Sequence, residues 1–406
     1  MNRAGRFTGS ALPGGAVGVL ALISTINALS TSAYLPALPA VGADLSASAT
    51  IVQLTLTCYL IGTGIGQLTW GPLSDALGRR RPLLVGLACY IAASVLCALA
   101  PGWSWLLVCR VAQGWAACAG TVLSRSVVAD HAAGTRLARQ LTVLLLLGAL
   151  APVVAPLIGA WLLLAGSWRT VFLFLAATGV PMLAGAWWVV AESLPPARRR
   201  RLSVGAVASA AAGLLRNRRF TGYAVALASG FATMFAFMSA APFLFQDHLG
   251  LSAQQYGWVN AGVAGCLGIS MGLVSSHLKR AEKRGVANPA ATARAGVTAM
   301  CAATGGVVIA AVADAPLAAW VLVLSAMAAS LALVGGSTMS LALDQARDTI
   351  GTGTALIGLG QATLGAIAAP LAGLGGAHSS LPMAITMACA AGLSAAAFLV
   401  ASTGTG

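Results

Sequence analysis

The chain has 406 residues, 8% of them charged and 58% hydrophobic, and a net charge of +14 from 23 Lys and Arg against 9 Asp and Glu. So few charges cannot cover a water-soluble globule, where about 25% is ordinary, so cytosolic enzymes, secreted modules and disordered chains are set aside. What remains is a polytopic membrane protein: twelve helical spans of about 20 residues take roughly 240 residues and leave short loops.

Apolar runs bounded by Gly, Pro or charge predict those twelve spans, near residues 16–38, 50–72, 82–100, 104–127, 140–164, 169–190, 221–245, 255–277, 294–313, 317–339, 352–375 and 381–401. The first run follows Arg3 and Arg6 but is too long for a signal-peptide core, so it reads as an uncleaved first helix. All eight Cys fall inside apolar runs without CxxC spacing, which fits small buried residues rather than disulfides or a metal site.

Charge sets the expected orientation. With the N-terminus inside, Arg79 to Arg81, Arg136, Arg139, Arg198 to Arg201, Arg216, Arg218, Arg219, Lys279, Arg280, Lys283, Arg284, Arg294 and Arg347 all fall on the cytoplasmic side. Only Arg169 falls outside, and Arg110 alone lies well within a span. Both termini are therefore expected in the cytoplasm. The basic balance reports topology and attraction to anionic lipid rather than nucleic-acid binding. The longest inner connection carries Pro195-Pro196 and two Arg clusters. It divides the chain into a six-helix bundle (1–197), a basic linker (198–220) and a second bundle (221–406).

The halves look like weak repeats. Span 2 reads Gly62-x-x-x-Gly66 and span 8 reads Gly268-x-x-x-Gly272, while spans 5 and 11 are both rich in Gly and Pro. Two six-span repeats are the plan of many secondary carriers, with the substrate site between them.

The most specific signal is Gly71-Pro-Leu-Ser-Asp75-Ala-Leu-Gly78-Arg79-Arg80-Arg81-Pro82, placed in the inner loop between spans 2 and 3. Gly71 permits close helix approach, and Asp75 can cap a short loop helix or pair with a nearby Arg. Gly78 permits a tight turn. Such a charge cluster can latch the two halves on the inner side. Further motifs are Tyr34-Leu-Pro-Ala-Leu-Pro39, Arg110-Val-Ala-Gln113-Gly114, Pro152-Val-Val-Ala-Pro156-Leu-Ile-Gly159, Trp168-Arg169-x-x-Phe172 and Glu192-Ser-Leu-Pro195.

On these motifs the sequence resembles the major facilitator superfamily, and within it the bicyclomycin and chloramphenicol resistance (Bcr/CflA) drug exporters. The resemblance covers nearly all of the first half; the second half matches in general character. It implies a twelve-helix, two-bundle carrier working by alternating access, with no cofactor and no metal, and a monomer in the lipid bilayer. It also implies export of a small amphiphilic compound against protons. In such exporters Gly71, Asp75, Gly78, Arg79 and Arg80 gate the inner side, Arg110 and Gln113 couple or bind, and Pro152, Pro156 and Gly159 shape the pivot. Two positions depart from the pattern: Ala76 stands where the family has a basic residue, and Ser32 where it has an Asp.

The second departure matters chemically. Proton antiport commonly uses a buried carboxylate, and none of the nine Asp and Glu falls at mid-span. A carrier without proton coupling, dedicated to a metabolite such as an antibiotic or metallophore, is thus the second reading; a non-transporting sensor is a third. Enzyme signatures such as His-Glu-x-x-His and Gly-x-Ser-x-Gly are absent. A buried Arg costs about 2.5–3.5 kcal/mol on insertion scales, so Arg110 either has a function or snorkels to the interface. Cavity candidates are the polar, aromatic and Met residues at helical depth: Asn27, Ser30, Ser32, Tyr34, Gln53, Tyr59, Trp115, Phe231, Phe235, Met238, Asn260 and Gln361.

Overall fold

The computed structural model describes residues 14–132, 134–196, 199, 204–284, 288–346, 349–374 and 379–403. Arg3, Arg6, Arg198, Arg200, Arg201, Arg347 and His378 lie outside them, as do the side chains of Arg136 and Arg139. Twelve helices among the described residues are long and apolar enough to cross a membrane. Spans 1 to 6 are Gly15–Asp44, Ala49–Leu77, Arg80–Ala98, Trp103–His131, Gln140–Ala165 and Arg169–Val189. Spans 7 to 12 are Arg218–His248, Ala253–Ala281, Pro289–Val312, Leu317–Asp344, Ile350–Ala372 and Leu381–Ser402. A linker helix, Val204–Arg216, joins the two sets.

Several helices run past their apolar stretches at the end where the arginines gather. Span 4 continues to His131 and span 10 to Asp344. Hydropathy marks only the length inside hydrocarbon, whereas the backbone ladder continues into the polar boundary layer. The Gly71–Leu77 motif, expected in a loop, is accordingly the last two turns of span 2, with Pro72 inside the helix. That helix stops at Gly78, whose φ of 93° suits glycine.

Caps and breaks follow from single residues. Asn217 accepts from the backbone N–H groups of Arg219 and Phe220 to start span 7, and Asn288 accepts from Ala291 to start span 9. Span 1 is not one straight helix. The Ser24 and Thr25 hydroxyls donate to the carbonyls of Ala21 and Leu22, and a 3-10 turn forms at Leu35–Ala37 beside Pro36. Span 7 likewise loosens into a π-turn, Phe243–His248, just after Pro242.

Packing in lipid relies on small residues that let backbones approach. Spans 2 and 4 are the closest pair in the first half. A side chain at Gly62 would strike the backbone of Val111, and one at Gly114 the backbone of Tyr59. The first six spans pack chiefly on one another, and so do the last six. Between the sets, span 2 meets span 11 and span 5 meets span 8.

Candidate functional site

Three clusters carry the polar chemistry. The first lies at the arginine-rich end, called here the basic end. Arg79 Nη1 donates to Asp75 Oδ1 at 2.6 Å and to Ser74 Oγ at 2.6 Å, while its Nε donates to Asp130 Oδ2 at 3.0 Å. Ser193 Oγ donates to the same Asp130 oxygen at 2.7 Å. Glu192 Oε1 accepts from the backbone N–H groups of Arg79 (2.8 Å) and Leu194 (3.0 Å), and Oε2 accepts from Arg80 N at 3.4 Å. Glu192 thus places a negative charge at the N-terminus of span 3, where the helix dipole favours it. Arg199 approaches the same carboxylate at 3.9 Å. Arg80 turns away, donates to the Trp187 carbonyl at 2.7 Å and lies over the Trp187 ring. Gly71 touches nothing that a side chain would meet.

This network ties spans 2, 4 and 6 together around the loop. Among the described residues the partners of Asp75, Arg79 and Arg80 all belong to the first half, so in this conformation the cluster staples its own bundle. Asp130, Glu192 and Ser193 complete it, beyond the site residues expected from the sequence. The signal was available: Glu192 and Ser193 belong to one of the quoted motifs, and Asp130 is an acid at a helix end facing a basic loop.

The second cluster is the interior of the first bundle. Arg110 is fully buried. It does not snorkel. Its Nη1 donates to Gln113 Oε1 at 2.6 Å and its Nε to the Thr55 carbonyl at 3.3 Å. The guanidinium lies over three rings, 4.4 Å from the centre of Tyr59, 4.8 Å from Tyr34 and 5.7 Å from Phe172. Nη2 has no hydrogen-bond partner among the described residues. Gln113 Nε2 donates to Ser94 Oγ at 2.8 Å, Ser94 to the Tyr90 carbonyl, and Tyr90 pairs with Ser30 at 2.7 Å. No carboxylate pairs with Arg110 among the described residues. Tyr34, Tyr59, Ser30 and Ser32, expected on a cavity wall, are all buried in this structure. Tyr59 still reaches outward: its hydroxyl donates to Asn27, which donates to Thr121, and Asn27 is only partly buried.

The third cluster is the seam between the halves at the end remote from the arginines. Thr50 donates to the Gly373 carbonyl (2.9 Å), Thr57 to Ala366 (3.0 Å), Gln246 to Pro36 (3.1 Å) and Gln254 to Ala160 (3.0 Å). Gln53 is buried in this seam: a side chain at Gly373 would fall on its amide. The remote end is therefore closed. Span 5 contributes here too. A side chain at Gly159 would strike the Ala33 backbone, and Pro156 is buried beside Gly257 of span 8. Pro152 is partly buried.

Trp115 stacks on Trp70 at 4.5 Å, and Gln67 lies against Gly358 of span 11. Phe231, Phe235, Met238 and Gln361 are partly buried, and Asn260 is nearly enclosed. Phe235 fills the space beside Gly365. No group of His, Cys, Asp and Glu among the described residues could hold a metal.

Comparison with known proteins agrees with this architecture. The sequence profile of the Major Facilitator Superfamily matches residues 20–370. An uncharacterized MFS-type transporter, YdgK, of Bacillus subtilis is 33% identical over 382 residues, 94% of this chain and 93% of the relative. A chloramphenicol resistance protein of Pseudomonas aeruginosa is 34% identical over 61% of this chain and 58% of its own. Multidrug resistance protein D of Escherichia coli is 30% identical over 58% and 59%. The chain thus spans under two thirds of these two drug-resistance relatives. Among solved structures, an inward-facing, occupied bacterial homologue of the human lysosomal transporter Spinster superposes with a TM-score of 0.72 at 18% identity, covering 95% of this chain and 96% of that one. A D-xylose–proton symporter superposes with a TM-score of 0.72 at 14% identity, covering 95% of each.

Proposed function

The chain belongs to the major facilitator superfamily, a multi-pass membrane transporter and not an enzyme, and from that premise we propose that it exports a small amphiphilic drug or natural metabolite across the bacterial-type cytoplasmic membrane. The six-span groups 1–197 and 221–406, joined by the basic linker 198–220, rock about the substrate as a monomer in lipid. The basic end faces the cytoplasm.

One observation carries the reading: hydrogen bonds between the two groups gather at the end remote from the arginines. An alternating-access carrier closed at one end has its site reachable from the other. The substrate would meet Asn27, Trp115, Phe231, Phe235, Met238 and Gln361, partly buried groups that offer apolar and aromatic contact with few hydrogen bonds. Gly71, Asp75, Gly78, Arg79 and Arg80 serve the cytoplasmic gate, Arg110 and Gln113 couple transport or bind substrate, and Pro152, Pro156 and Gly159 serve the pivot. The resemblance to drug-resistance proteins supports protons as the driving ion.

A second reading, a carrier without proton coupling, is favoured by the polar interior around Arg110, which has no carboxylate partner among the described residues. Both readings meet one test. The chain is expressed in a bacterial host stripped of its own pumps and challenged with a compound panel, beside Asp75→Asn at equal membrane abundance. Export predicts lower accumulation of some compounds with the unaltered chain alone. Dissipating the pH gradient then restores accumulation for a proton antiporter and leaves it unchanged for an uncoupled carrier. No change with any compound removes the export reading.

A further inference from the structure

A crevice of about 510 Å³ opens on the side of the second half, between spans 7, 11 and 12. Ile367 and Leu371 of span 11 and Ile385, Cys389 and Leu393 of span 12 form its exposed rim, and Ser229 of span 7 forms part of its floor. Spans 11 and 12 each pack tightly on span 7 but only sparsely on each other, so the crevice is a gap between two helices with a third behind it.

Its length is informative. On span 12 the lining runs from Pro382, at the remote end, to Leu393, near the middle of Leu381–Ser402. At 1.5 Å per residue that is about 16 Å, close to half of the roughly 30 Å hydrocarbon thickness of a bilayer. The crevice therefore reaches from one membrane boundary to the midplane and stops there. It is continuous with the apolar outer surface of the spans, where Leu374 and Leu399 are also exposed.

We propose that this crevice is a binding site for one acyl chain of a phospholipid in the leaflet at the remote end. The occupant follows from the depth of one leaflet, the apolar walls and the direct opening to lipid. Such a chain buries apolar surface against protein that would otherwise face a void, and a void forfeits dispersion contacts on every wall. Ser229 and Thr386 are the polar side chains in the lining: the Ser229 hydroxyl is fully buried and has no hydrogen-bond partner among the described residues, whereas Thr386 of span 12 is only partly buried. An alkyl chain gives the Thr386 hydroxyl nothing, whereas a polar solute would bond to it. Thr386 therefore separates the two kinds of occupant. The proposal stands independently of substrate and driving ion.

The test uses the full-length chain in lipid nanodiscs of phosphatidylethanolamine and phosphatidylglycerol, doped with a phospholipid carrying a diazirine at the acyl terminus. After illumination, adducts are mapped by peptide mass spectrometry. The expected result is adducts on 364–374 and 382–393 several-fold above those on the lipid-facing residues of spans 3 and 6. In Cys389→Trp, which fills the crevice from an exposed position, they should fall to that background. Cys389→Ala, which leaves it open, should keep them. Thr386→Val should leave them unchanged. Equal adducts on every lipid-facing helix mean annular contact only and overturn the site. Loss in Thr386→Val means a hydrogen-bonding occupant and overturns the acyl chain.

Discussion

Arg110 holds its charge in a box of rings rather than opposite an acid. Arg suits this setting because its guanidinium is planar, weakly hydrated and able to donate in several directions at once. Each ring contact is worth about 0.5–2 kcal/mol, and the bonds to Gln113 and Thr55 fix its orientation. Lys could not satisfy both acceptors and stack flat on Tyr59. Arg110→Lys is therefore expected to cost about 2 kcal/mol of stability and Arg110→Ala more, read as a lower melting midpoint with a thiol-reactive dye on the detergent-solubilised protein. An unchanged midpoint for Arg110→Ala would show that the box is not structural. Glu192 invites a second prediction. Its carboxylate holds the backbone N–H groups of Arg79 and Arg80, and a hydrogen bond to a charged group is worth about 1.5–3 kcal/mol. Glu192→Ala should speed amide exchange at those two residues by about tenfold or more, with exchange in span 9 unchanged.

At the scale of the helix, the seam between spans 2 and 11 is held by hydrogen bonds without charge. Thr50 and Thr57 lie seven residues apart on one face of span 2, two turns of helix, and each donates to a span 11 or adjoining carbonyl. Bonds of this kind between membrane helices average about 0.6 kcal/mol. Replacing both by Val should shift the equilibrium toward opening at the remote end by about 1.2 kcal/mol, several-fold in population. Distances between spin labels on spans 2 and 11 would report it; an unchanged distribution would mean that other contacts set the seam. Gly373→Leu should open it further, because its side chain would displace Gln53. Here the limits of the sequence are plain. Hydropathy locates all twelve spans, and the motif offers Asp75 either a helix cap or a nearby Arg, of which the structure forms the pair with Arg79. Neither could tell which face of span 2 looks into its own bundle and which across the seam, since both neighbours are apolar. Tyr59 and Thr55 turned inward and Thr50, Gln53 and Thr57 turned to span 11, although Tyr59 and Gln53 read alike as cavity candidates. The staple at Glu192 closes across four intervening spans; the Glu192-Ser-Leu-Pro195 motif is visible locally, but the loop it meets is not.

Orientation is a property of the whole molecule, and its one exception has a local explanation. Arg169 is the lone basic residue expected at the outer end, against more than a dozen at the other. Its guanidinium donates to Asp44 at 2.6 Å and to the Ala100 carbonyl at 3.1 Å, and stacks on Trp168. Trp168 donates to the same Asp44 oxygen at 2.9 Å. Arg169 thus works as a tie among the ends of spans 1, 3 and 6, with its charge offset by an acid alongside. The positive-inside bias counts Lys and Arg in short loops and weighs acids little, so a single Arg at the outer end does not reverse a vector built from the opposite clusters. Both termini should then lie in the cytoplasm. A fluorescent protein that matures only in the cytoplasm should be bright when fused after residue 403 or inserted within 285–287, and alkaline phosphatase should be active when inserted within 45–48 or 314–316. The reverse pattern would invert the whole assignment and with it the direction of the closed end. Asp44→Asn should leave that pattern unchanged, because topology follows the basic clusters. It should nonetheless loosen the ends of spans 1, 3 and 6, seen as faster exchange at 166–170, since the pair is partly exposed and contributes about 1 kcal/mol or less.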